Sequence, residues 1–272
     1  MDKKMAVIGV GNMARAIIAG IQGSSIQISE LALYDKNPSQ YSLLPDGNKE
    51  YVYADSIAAA VKNADVVLLS VKPQNFADVL AEISVVGGYE KKLYVTIAAG
   101  ITVSAVSDAL GGAEVVRVLP NLPITIGNGV TAICNSPIEA SKLAFVTSIF
   151  ETTGSVINID EAEMNRIIGV TSSSPAYVFK FIDCICKAAE AQGLSSENLI
   201  STVCDVFIGS ALLLKQSGEA PADLIAKVAS KGGTTERAIS ELESAGIEEI
   251  IQKAMIACTK RADELGATSQ NK

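Results

Sequence analysis

A glycine turn between an apolar run and a helical pattern constrains this chain more than any other feature. Residues 5–14 read Met-Ala-Val-Ile-Gly-Val-Gly-Asn-Met-Ala. The apolar residues before Gly9 favour a strand, and the apolar residues from Ala14 onwards recur at three- and four-residue steps, which predicts a helix. A helix that starts on such a turn offers unpaired N–H groups and the positive end of its dipole to a dinucleotide pyrophosphate. We therefore predict a bound nucleotide cofactor; the alternative is an α/β turn without a ligand.

Each position of the turn has a role in this prediction. Gly9 lets the chain turn, Gly11 lets the backbone approach a phosphate, and the small Ala14 lets the helix pack on the strand. Asn12 and Met13 lie at the helix start and belong to the same predicted site. The motif alone is weak evidence, but its place between a strand and a helix strengthens it.

An acidic residue at the end of the second predicted strand bears on the choice of coenzyme. Residues 31–35 read as that strand, and Asp35 ends it. A carboxylate there accepts hydrogen bonds from a ribose 2′-hydroxyl and repels a 2′-phosphate, which favours NADH. Lys36 beside it partly offsets this for NADPH, so both coenzymes stay open. The alternative for Asp35 is a turn residue before Asn37.

Three loops follow later strands of the same predicted sheet. Ligands of open α/β sheets bind beyond the carboxyl ends of the strands, so we predict that these loops contact the coenzyme. A lysine there would meet a phosphate or ribose, and small residues would leave room for a flat nicotinamide ring. The alternative is that they only shape loops. The candidate residues are Val71, Lys72, Pro73, Ala98, Ala99 and Asn121.

Strand and helix patterns alternate up to residue 159, and only helical patterns follow. We predict the α/β class, with a Rossmann-type doubly wound parallel sheet in residues 1–159 and an all-helical domain in residues 160–272. The later helices are apolar over more than one stripe, as in residues 203–214. A small helical domain cannot bury that surface alone, so we expect a homodimer or a higher oligomer built of dimers.

Composition excludes several classes of function. The net charge is −8, which disfavours nucleic-acid binding, and no apolar run approaches the length of a membrane span. Five cysteines, an odd number, fit reduced thiols in the cytoplasm. The chain has no histidine, so we expect no metal site.

Two segments of the helical half, residues 169–177 and 228–236, place small polar residues before a helix start. Unpaired N–H groups at such a place form a receptor for a small carboxylate. The alternative is that both segments are ordinary helix caps.

Taken together and in order, the motifs of this chain resemble the pyrroline-5-carboxylate reductase family. The last motif is the most specific, because family members commonly read Ser-Pro-Gly-Gly-Thr-Thr there. The resemblance implies a Rossmann domain with a helical dimerisation domain, and reduction of 1-pyrroline-5-carboxylate to L-proline by NADH or NADPH, the last step of proline biosynthesis. The motifs are Gly9 to Ala14, Val71 to Pro73, Ala98 to Gly100, Ser174 to Tyr177 and Ser230 to Thr235.

The resemblance also implies site residues at a dimer interface. Thr235 matches the threonine that contacts the substrate ring nitrogen in the family, and it is the candidate catalytic residue. Gly233, Thr234, Thr235 and Ser174 are the implied substrate-binding residues.

Two departures from the family pattern fall in this site. The family commonly has Gly-Ser-Gly where this chain has Ser172 to Ser174, and proline where it has Lys231. The first departure adds side chains near the site, and the second adds a cation beside an expected carboxylate.

A cyclic imine fits a chain without histidine, because the imine can enter already protonated and then needs mainly alignment. Two alternatives remain. A β-hydroxyacid dehydrogenase would need a catalytic lysine where alignment places Val178, with Lys180 two residues away. A dinucleotide-sensing regulator would need no catalytic residue.

Overall fold

The computed structural model describes residues 3–134, 137–194 and 196–270, with side chains up to residue 266. The chain forms two compact units. One comprises the described residues of Met1–Ser173 and Ala257–Lys272, and the other those of Ser174–Ile256. The functional boundary predicted after residue 159 stays a prediction.

The first unit contains the sheet. Its strands are β1 (Lys3–Ile8), β2 (Ile28–Tyr34), β3 (Glu50–Tyr53), β4 (Val66–Leu69), β5 (Leu93–Thr96), β6 (Glu114–Leu119), β7 (Gly129–Cys134) and β8 (Gly154–Ile159). They form one eight-stranded sheet in the order β3-β2-β1-β4-β5-β6-β7-β8. The chain builds outwards from β1 in both directions, which confirms the predicted doubly wound architecture.

One pair of neighbours departs from the predicted parallel sheet. Strands β6 and β7 are antiparallel, whereas the other neighbouring strands are parallel. The connection between β6 and β7 contains only the short 3-10 helix Leu122–Ile126. A parallel crossover needs a dozen or more residues, so this short connection returns the chain in the opposite direction. The sheet is therefore mostly, not wholly, parallel.

The helices follow the predicted alternation. The α-helices are α1 (Asn12–Gln22), α2 (Ile57–Lys62), α3 (Phe76–Ser84), α4 (Val103–Ala109), α5 (Ala140–Glu151), α6 (Met164–Ile167), α7 (Ser174–Ala191), α8 (Leu199–Ser217), α9 (Pro221–Val228), α10 (Thr234–Ser244) and α11 (Ile247–Gln270). Short 3-10 helices lie at Pro38–Leu43, Pro73–Asn75, Tyr89–Lys91, Leu122–Ile126 and Glu161–Glu163.

The core of the first unit lies on both faces of the sheet. Met5 and Val7 of β1 pack in one cluster with residues of α1 and α5. Ala6 and Ile8, which alternate with them, pack in a second cluster with residues of α2 and α3. Because both faces are covered, the central strands are continuous apolar runs rather than alternating patterns. This packing holds the carboxyl end of β1, and with it the glycine turn, in a fixed place.

The second unit leaves much of its apolar surface exposed. Among its described residues, only Cys186 and Val203 are buried. A monomer with this surface would present a large apolar area to water, as expected for an interface. The exposed apolar side chains include Phe179, Ile200, Val206, Ile208, Leu212, Leu213, Val228, Ile250 and Ile256.

Helix α8 is long and apolar enough to cross a membrane by length and composition, with a mean hydropathy of 1.4. The expectation that no apolar segment is long enough to span a membrane is wrong for α8. Small and polar residues interrupt the apolar run of α8, but its mean hydropathy stays high enough for a span. One such helix is weak evidence for a membrane span. Its exposed apolar side chains also fit an interface between protein chains.

Gly100 tests the packing of the first unit. Its φ is +79°, and a Cβ atom there would lie 2.9 Å from the Gly266 amide nitrogen and 3.1 Å from the Ala262 carbonyl oxygen. Gly100→Ala should therefore combine backbone strain with a backbone clash, at a total cost of about 2–5 kcal/mol. Gly112→Ala is the matched control, since Gly112 has a φ of +86° and open space around it. Urea denaturation should show the larger loss for Gly100→Ala; equal losses would contradict this packing.

Candidate functional site

The glycine turn after β1 has the geometry of a phosphate-binding loop. Gly9 has a φ of +90°, and a Cβ atom there would lie 2.7 Å from the Ser70 carbonyl oxygen. Only glycine fits this position without strain. At Gly11, in contrast, a Cβ atom would meet nothing within 4 Å. The turn therefore packs tightly at Gly9 on the residues that follow β4 and leaves open space at Gly11.

The start of α1 has the free N–H groups that an anion receptor needs. Gly11 is its N-cap residue and has no side chain that accepts from the first-turn amides, and the first turn has no acidic residue. The first backbone hydrogen bond into the helix is donated by the Arg15 amide to the Gly11 carbonyl oxygen at 2.9 Å. The N–H groups of Asn12, Met13 and Ala14 are thus left for a ligand, and the helix dipole adds to their attraction for a phosphate.

A cavity of about 380 Å³ opens at this turn. It brings together six residues predicted from the sequence: Gly9, Gly11, Asp35, Lys36, Val71 and Lys72. Two lysines, unpaired amides and a carboxylate beside them match a nucleotide's phosphates and ribose hydroxyls. The residues present therefore fit an anionic dinucleotide.

Asp35 is tied to the glycine turn. The Val10 amide donates to Asp35 Oδ2 at 2.7 Å, and the Asn37 amide donates to Asp35 Oδ1 at 2.8 Å. The second bond is the local turn that the sequence left as an alternative. Each carboxylate oxygen keeps a second lone pair, so the two contacts do not prevent a ribose contact. Asp35 holds the turn in place whether or not it also binds a ribose.

Other predicted coenzyme residues lie outside this cavity. Pro73 lines a neighbouring cavity of about 410 Å³ together with Gly100. Ala98 is buried in the core between the sheet and its helices, and Ala99 is half-buried. Among the residues of the predicted α1 start, the Asn12 side chain accepts a hydrogen bond from Arg15, and Met13 packs against the core.

The Asn121 side chain has protein partners on both sides. Asn121 is buried; its Nδ2 donates to the Thr171 carbonyl oxygen at 3.0 Å, and its Oδ1 accepts from the Val130 amide at 2.9 Å. It thus joins the end of β6 to the start of β7 and to the segment before α7. A coenzyme role for Asn121 stays a prediction, and the contacts indicate a positioning role.

Sequence reasoning missed Arg15. Its Nη1 donates to the Val10 carbonyl oxygen at 2.9 Å and also contacts Gln40, while Nη2 contacts Asn12. Arg15 therefore places a positive charge beside the glycine turn. The sequence did contain an indication. A cation in the first turn of a helix is unfavourable beside the positive end of the dipole, so Arg15 at this position indicates a compensating contact.

The segment before α7 carries the first departure from the family pattern. The Ser172 hydroxyl is buried without a hydrogen-bond partner in the described part of the chain. Ser173 Oγ lies 3.1 Å from Cys258 Sγ, which anchors the segment to α11. Ser174, a predicted substrate-binding residue, begins α7 and is half-buried.

The start of α10 is a second uncapped helix N-terminus. Gly233 is the N-cap residue, and no side chain accepts from the first-turn amides. The Arg237 amide donates to the Gly233 carbonyl oxygen at 3.3 Å, so the amides before it have no helical acceptor. Thr235 is half-buried there, whereas Thr234 is exposed. This geometry suits a small carboxylate bound at the amides with the Thr235 hydroxyl beside it.

A buried cation lies away from these residues. Arg117 on β6 is buried, its Nη2 donates to Asn165 Oδ1 at 2.6 Å, and its Nη1 lies 4.0 Å from the Glu161 carboxylate. Burial lowers the pKa of the Arg117 guanidinium, and the nearby Glu161 charge opposes that shift. These contacts tie β6 to the residues around α6, so we assign Arg117 a structural role.

Lys180 does not support the dehydrogenase alternative. It lies on the exposed surface of α7, where its Nζ pairs with Asp183 at 3.1 Å. A surface ion pair of this kind is a common helical i, i+3 contact and leaves the ammonium in water. Val178, which takes the position of the catalytic lysine in that alternative, cannot titrate.

Two family models match the chain. "NADP oxidoreductase coenzyme F420-dependent" matches residues 4–100, and "Pyrroline-5-carboxylate reductase dimerisation" matches residues 161–265. The first range contains the glycine turn and its cavity, and the second contains the α7 and α10 helix starts.

Curated relatives and solved structures agree with these matches. The pyrroline-5-carboxylate reductase of Corynebacterium melassecola is 32% identical, covering 96% of this chain and 98% of its own, and that of Escherichia coli K12 is 32% identical, covering 97% and 99%. The Plasmodium falciparum pyrroline carboxylate reductase with NADP bound has a TM-score of 0.85 at 25% identity, covering 97% of this chain and 98% of its own. The Coxiella burnetii pyrroline-5-carboxylate reductase has a TM-score of 0.86 at 28% identity, covering 97% and 99%.

Asp35 allows a test of coenzyme choice. Asp35→Ser should raise the affinity for NADPH relative to NADH by roughly 1–3 kcal/mol, because it removes a charge that repels a 2′-phosphate. The affinity for both should fall in absolute terms, since serine loses the bonds to Val10 and Asn37. Asp35→Asn, which keeps one acceptor oxygen, separates charge from hydrogen bonding. Fluorescence titration with each reduced nucleotide measures both effects; an unchanged ratio in both variants would show that Asp35 does not face the ribose.

Proposed function

The chain belongs to the pyrroline-5-carboxylate reductase family, and from that premise we propose how its residues carry the reaction. It is an NAD(P)H-dependent oxidoreductase that reduces 1-pyrroline-5-carboxylate to L-proline, the last step of proline biosynthesis. The observation that carries the proposal is the uncapped start of α10, where a half-buried threonine stands beside free amides.

The glycine turn and its cavity are the proposed coenzyme site. The amides at the start of α1 hold the pyrophosphate, Lys72 meets a phosphate or ribose, and Asp35 accepts from ribose hydroxyls. When bound, the nicotinamide ring supplies a hydride. Gly9, Gly11, Lys36 and Val71 line the same cavity and shape the site around the nucleotide.

The start of α10 is the proposed substrate site. The amides of Thr234 and Thr235 bind the substrate carboxylate, because they have no acceptor in the helix and lie at the positive end of its dipole. The Thr235 hydroxyl hydrogen-bonds to the ring nitrogen and orients the imine. Gly233 contributes the close approach of its backbone, and Ser174 at the start of α7 completes the proposed set.

Alignment of the substrate with the coenzyme supplies most of the rate enhancement in this mechanism. A cyclic imine enters protonated, so the protein needs no strong acid to generate the electrophile. Holding the iminium carbon against the coenzyme replaces a bimolecular encounter by an intramolecular one, which is worth roughly 7–11 kcal/mol in well-aligned systems. Fixed amide dipoles around the substrate carboxylate cost no reorganisation during the reaction.

We further propose a cytoplasmic homodimer, or a higher oligomer built of dimers, that binds neither membranes nor nucleic acid. The exposed apolar side chains of the helical unit and the dimerisation model over residues 161–265 support the dimer. A net charge of −8 argues against nucleic acid as a partner. The two family models fall on either side of residue 159, which supports a functional boundary between residues 1–159 and 160–272.

Oxidation of NADH and of NADPH in the presence of 1-pyrroline-5-carboxylate tests the activity. We expect absorbance of the reduced nicotinamide to fall only when the imine is supplied, and L-proline to accumulate in equal amount. A β-hydroxyacid dehydrogenase would oxidise hydroxyacids instead, and a regulator would show no turnover with either substrate.

Thr235 allows a test of the proposed catalytic role. Thr235→Val keeps the shape of the side chain but removes the hydroxyl, and we expect kcat/KM for the imine to fall by roughly 10–1000-fold, about 1.4–4 kcal/mol. NADPH binding should survive. Thr234→Val is the control, because Thr234 contributes mainly its backbone amide and should cost less. Circular dichroism checks folding; wild-type kcat/KM in Thr235→Val would reduce Thr235 to a helix residue without a catalytic role.

The exposed apolar surface of α8 allows a test of assembly. Light scattering should give a mass of two chains or a multiple of two at low concentration. Leu213→Lys should weaken the dimer, since it places a charge in the proposed interface. Val85→Lys is the control, because Val85 is also apolar and exposed but belongs to the first unit. A folded, active wild-type monomer would contradict the interface.

A further inference from the structure

A tight turn leads into the α10 helix start. The Gly233 amide donates to the Ser230 carbonyl oxygen at 2.8 Å, which closes a four-residue turn with Lys231 and Gly232 at its centre. Gly232 has a φ of +74°, and no described residue other than glycine has a positive φ. A negative φ followed by a positive φ of this size defines a type II turn. The turn fixes where the backbone enters the proposed substrate site.

The Glu236 carboxylate closes this turn from the other side. The Gly232 amide donates to Glu236 Oε2 at 2.6 Å. In an ordinary capping box, a glutamate at this third helical position accepts from the N-cap amide. Here the N-cap amide, that of Gly233, is already used inside the turn, and the glutamate reaches one residue further back. The two bonds together hold the amides of Gly232 and Gly233.

We propose that Glu236 is a positioning residue of the reductase site: its carboxylate clamps the Gly232 amide and so fixes the amides of Thr234 and Thr235 for the substrate carboxylate. This inference rests on the proposed function of the α10 start. Glu236 does not touch the substrate. It acts through the turn, by reducing the freedom of the backbone that binds the substrate.

Lys231, which stands where the family motif has proline, explains why the turn needs the Glu236 contact. Lys231 occupies the second position of the type II turn, where proline is favoured because its ring presets φ near −65°. The family motif that this chain resembles has proline there. Lysine leaves the turn more freedom before substrate binds, and the Glu236 clamp offsets that freedom with a charge-assisted hydrogen bond.

The clamp also places a negative charge beside the proposed carboxylate site. Lys231, one residue before Gly232, carries the opposite charge and lies exposed. The Glu236 charge repels the substrate carboxylate. Removing this charge while keeping the hydrogen-bond acceptor should therefore not weaken substrate binding, whereas removing the acceptor should. Glu236→Gln makes the first change, and Glu236→Ala makes both.

Three variants of the full-length protein test the clamp. Glu236→Ala should raise KM for 1-pyrroline-5-carboxylate by roughly 3–10-fold with little change in kcat or in NADPH binding, because it loosens ground-state and transition-state binding alike. Glu236→Gln should keep KM at or below the wild-type value. Adding Lys231→Pro to Glu236→Ala should recover most of the loss, since proline restores the turn. Glu243→Ala, a change at an exposed glutamate of the same helix, is the control.

Hydrogen exchange of the Gly232 amide, followed by NMR, gives a readout that needs no substrate. We expect the fastest exchange in Glu236→Ala, a smaller increase in Glu236→Gln, whose neutral amide oxygen accepts a weaker hydrogen bond, and wild-type exchange in Glu243→Ala. Equal KM and equal exchange in Glu236→Ala and Glu236→Gln would overturn the clamp. An inactive wild-type protein would instead overturn the proposed function on which the inference rests, whatever the exchange rates are.

Discussion

Backbone N–H groups left unpaired at two helix starts are the interaction on which the proposed site depends. At α1 a glycine turn leaves them open in the proposed coenzyme site, and at α10 a type II turn leaves them open in the proposed substrate site. Neither helix has a side chain that caps these groups, so in both places the fold keeps donors available at the cost of local helix stability. A chain with net charge −8 can bind two anionic ligands in this way because the attraction is local rather than global.

Long-range contacts of the first unit keep the α1 start and the segment before α7 in place. Gly9 packs against the Ser70 carbonyl with a backbone conformation that only glycine adopts freely, and Asp35 holds the Val10 amide of the same turn. Asn121 ties the end of β6 to the segment before α7. Most of these contacts join residues far apart in the chain, so the tertiary fold, and not local preference, sets the geometry of the site.

Much of this was predictable from the sequence, because glycine turns and buried strands have strong local signals. The central strands and the turn at Gly9 follow from apolar runs and glycine spacing. The edge strand β3 has no buried run, since Tyr51 is its only half-buried residue, and periodicity therefore does not indicate it. The contacts of Arg15, Asn121 and Glu236 depend on where distant backbone groups lie, which composition and spacing do not encode. The antiparallel direction of β7 depends on the short connection between β6 and β7. The length of this connection, more than its residues, sets that direction.

Hydride transfer from the coenzyme to an aligned imine is the central claim, and isotope labelling tests it most directly. The protein is supplied with 1-pyrroline-5-carboxylate and NADPH or NADH deuterated at the transferable position of the nicotinamide, and the product is analysed by NMR and mass spectrometry. We expect L-proline with one deuterium at Cδ, the former imine carbon, and a slowed turnover if the transfer limits the rate. Proline without deuterium, or oxidation of the coenzyme without proline, would contradict the account.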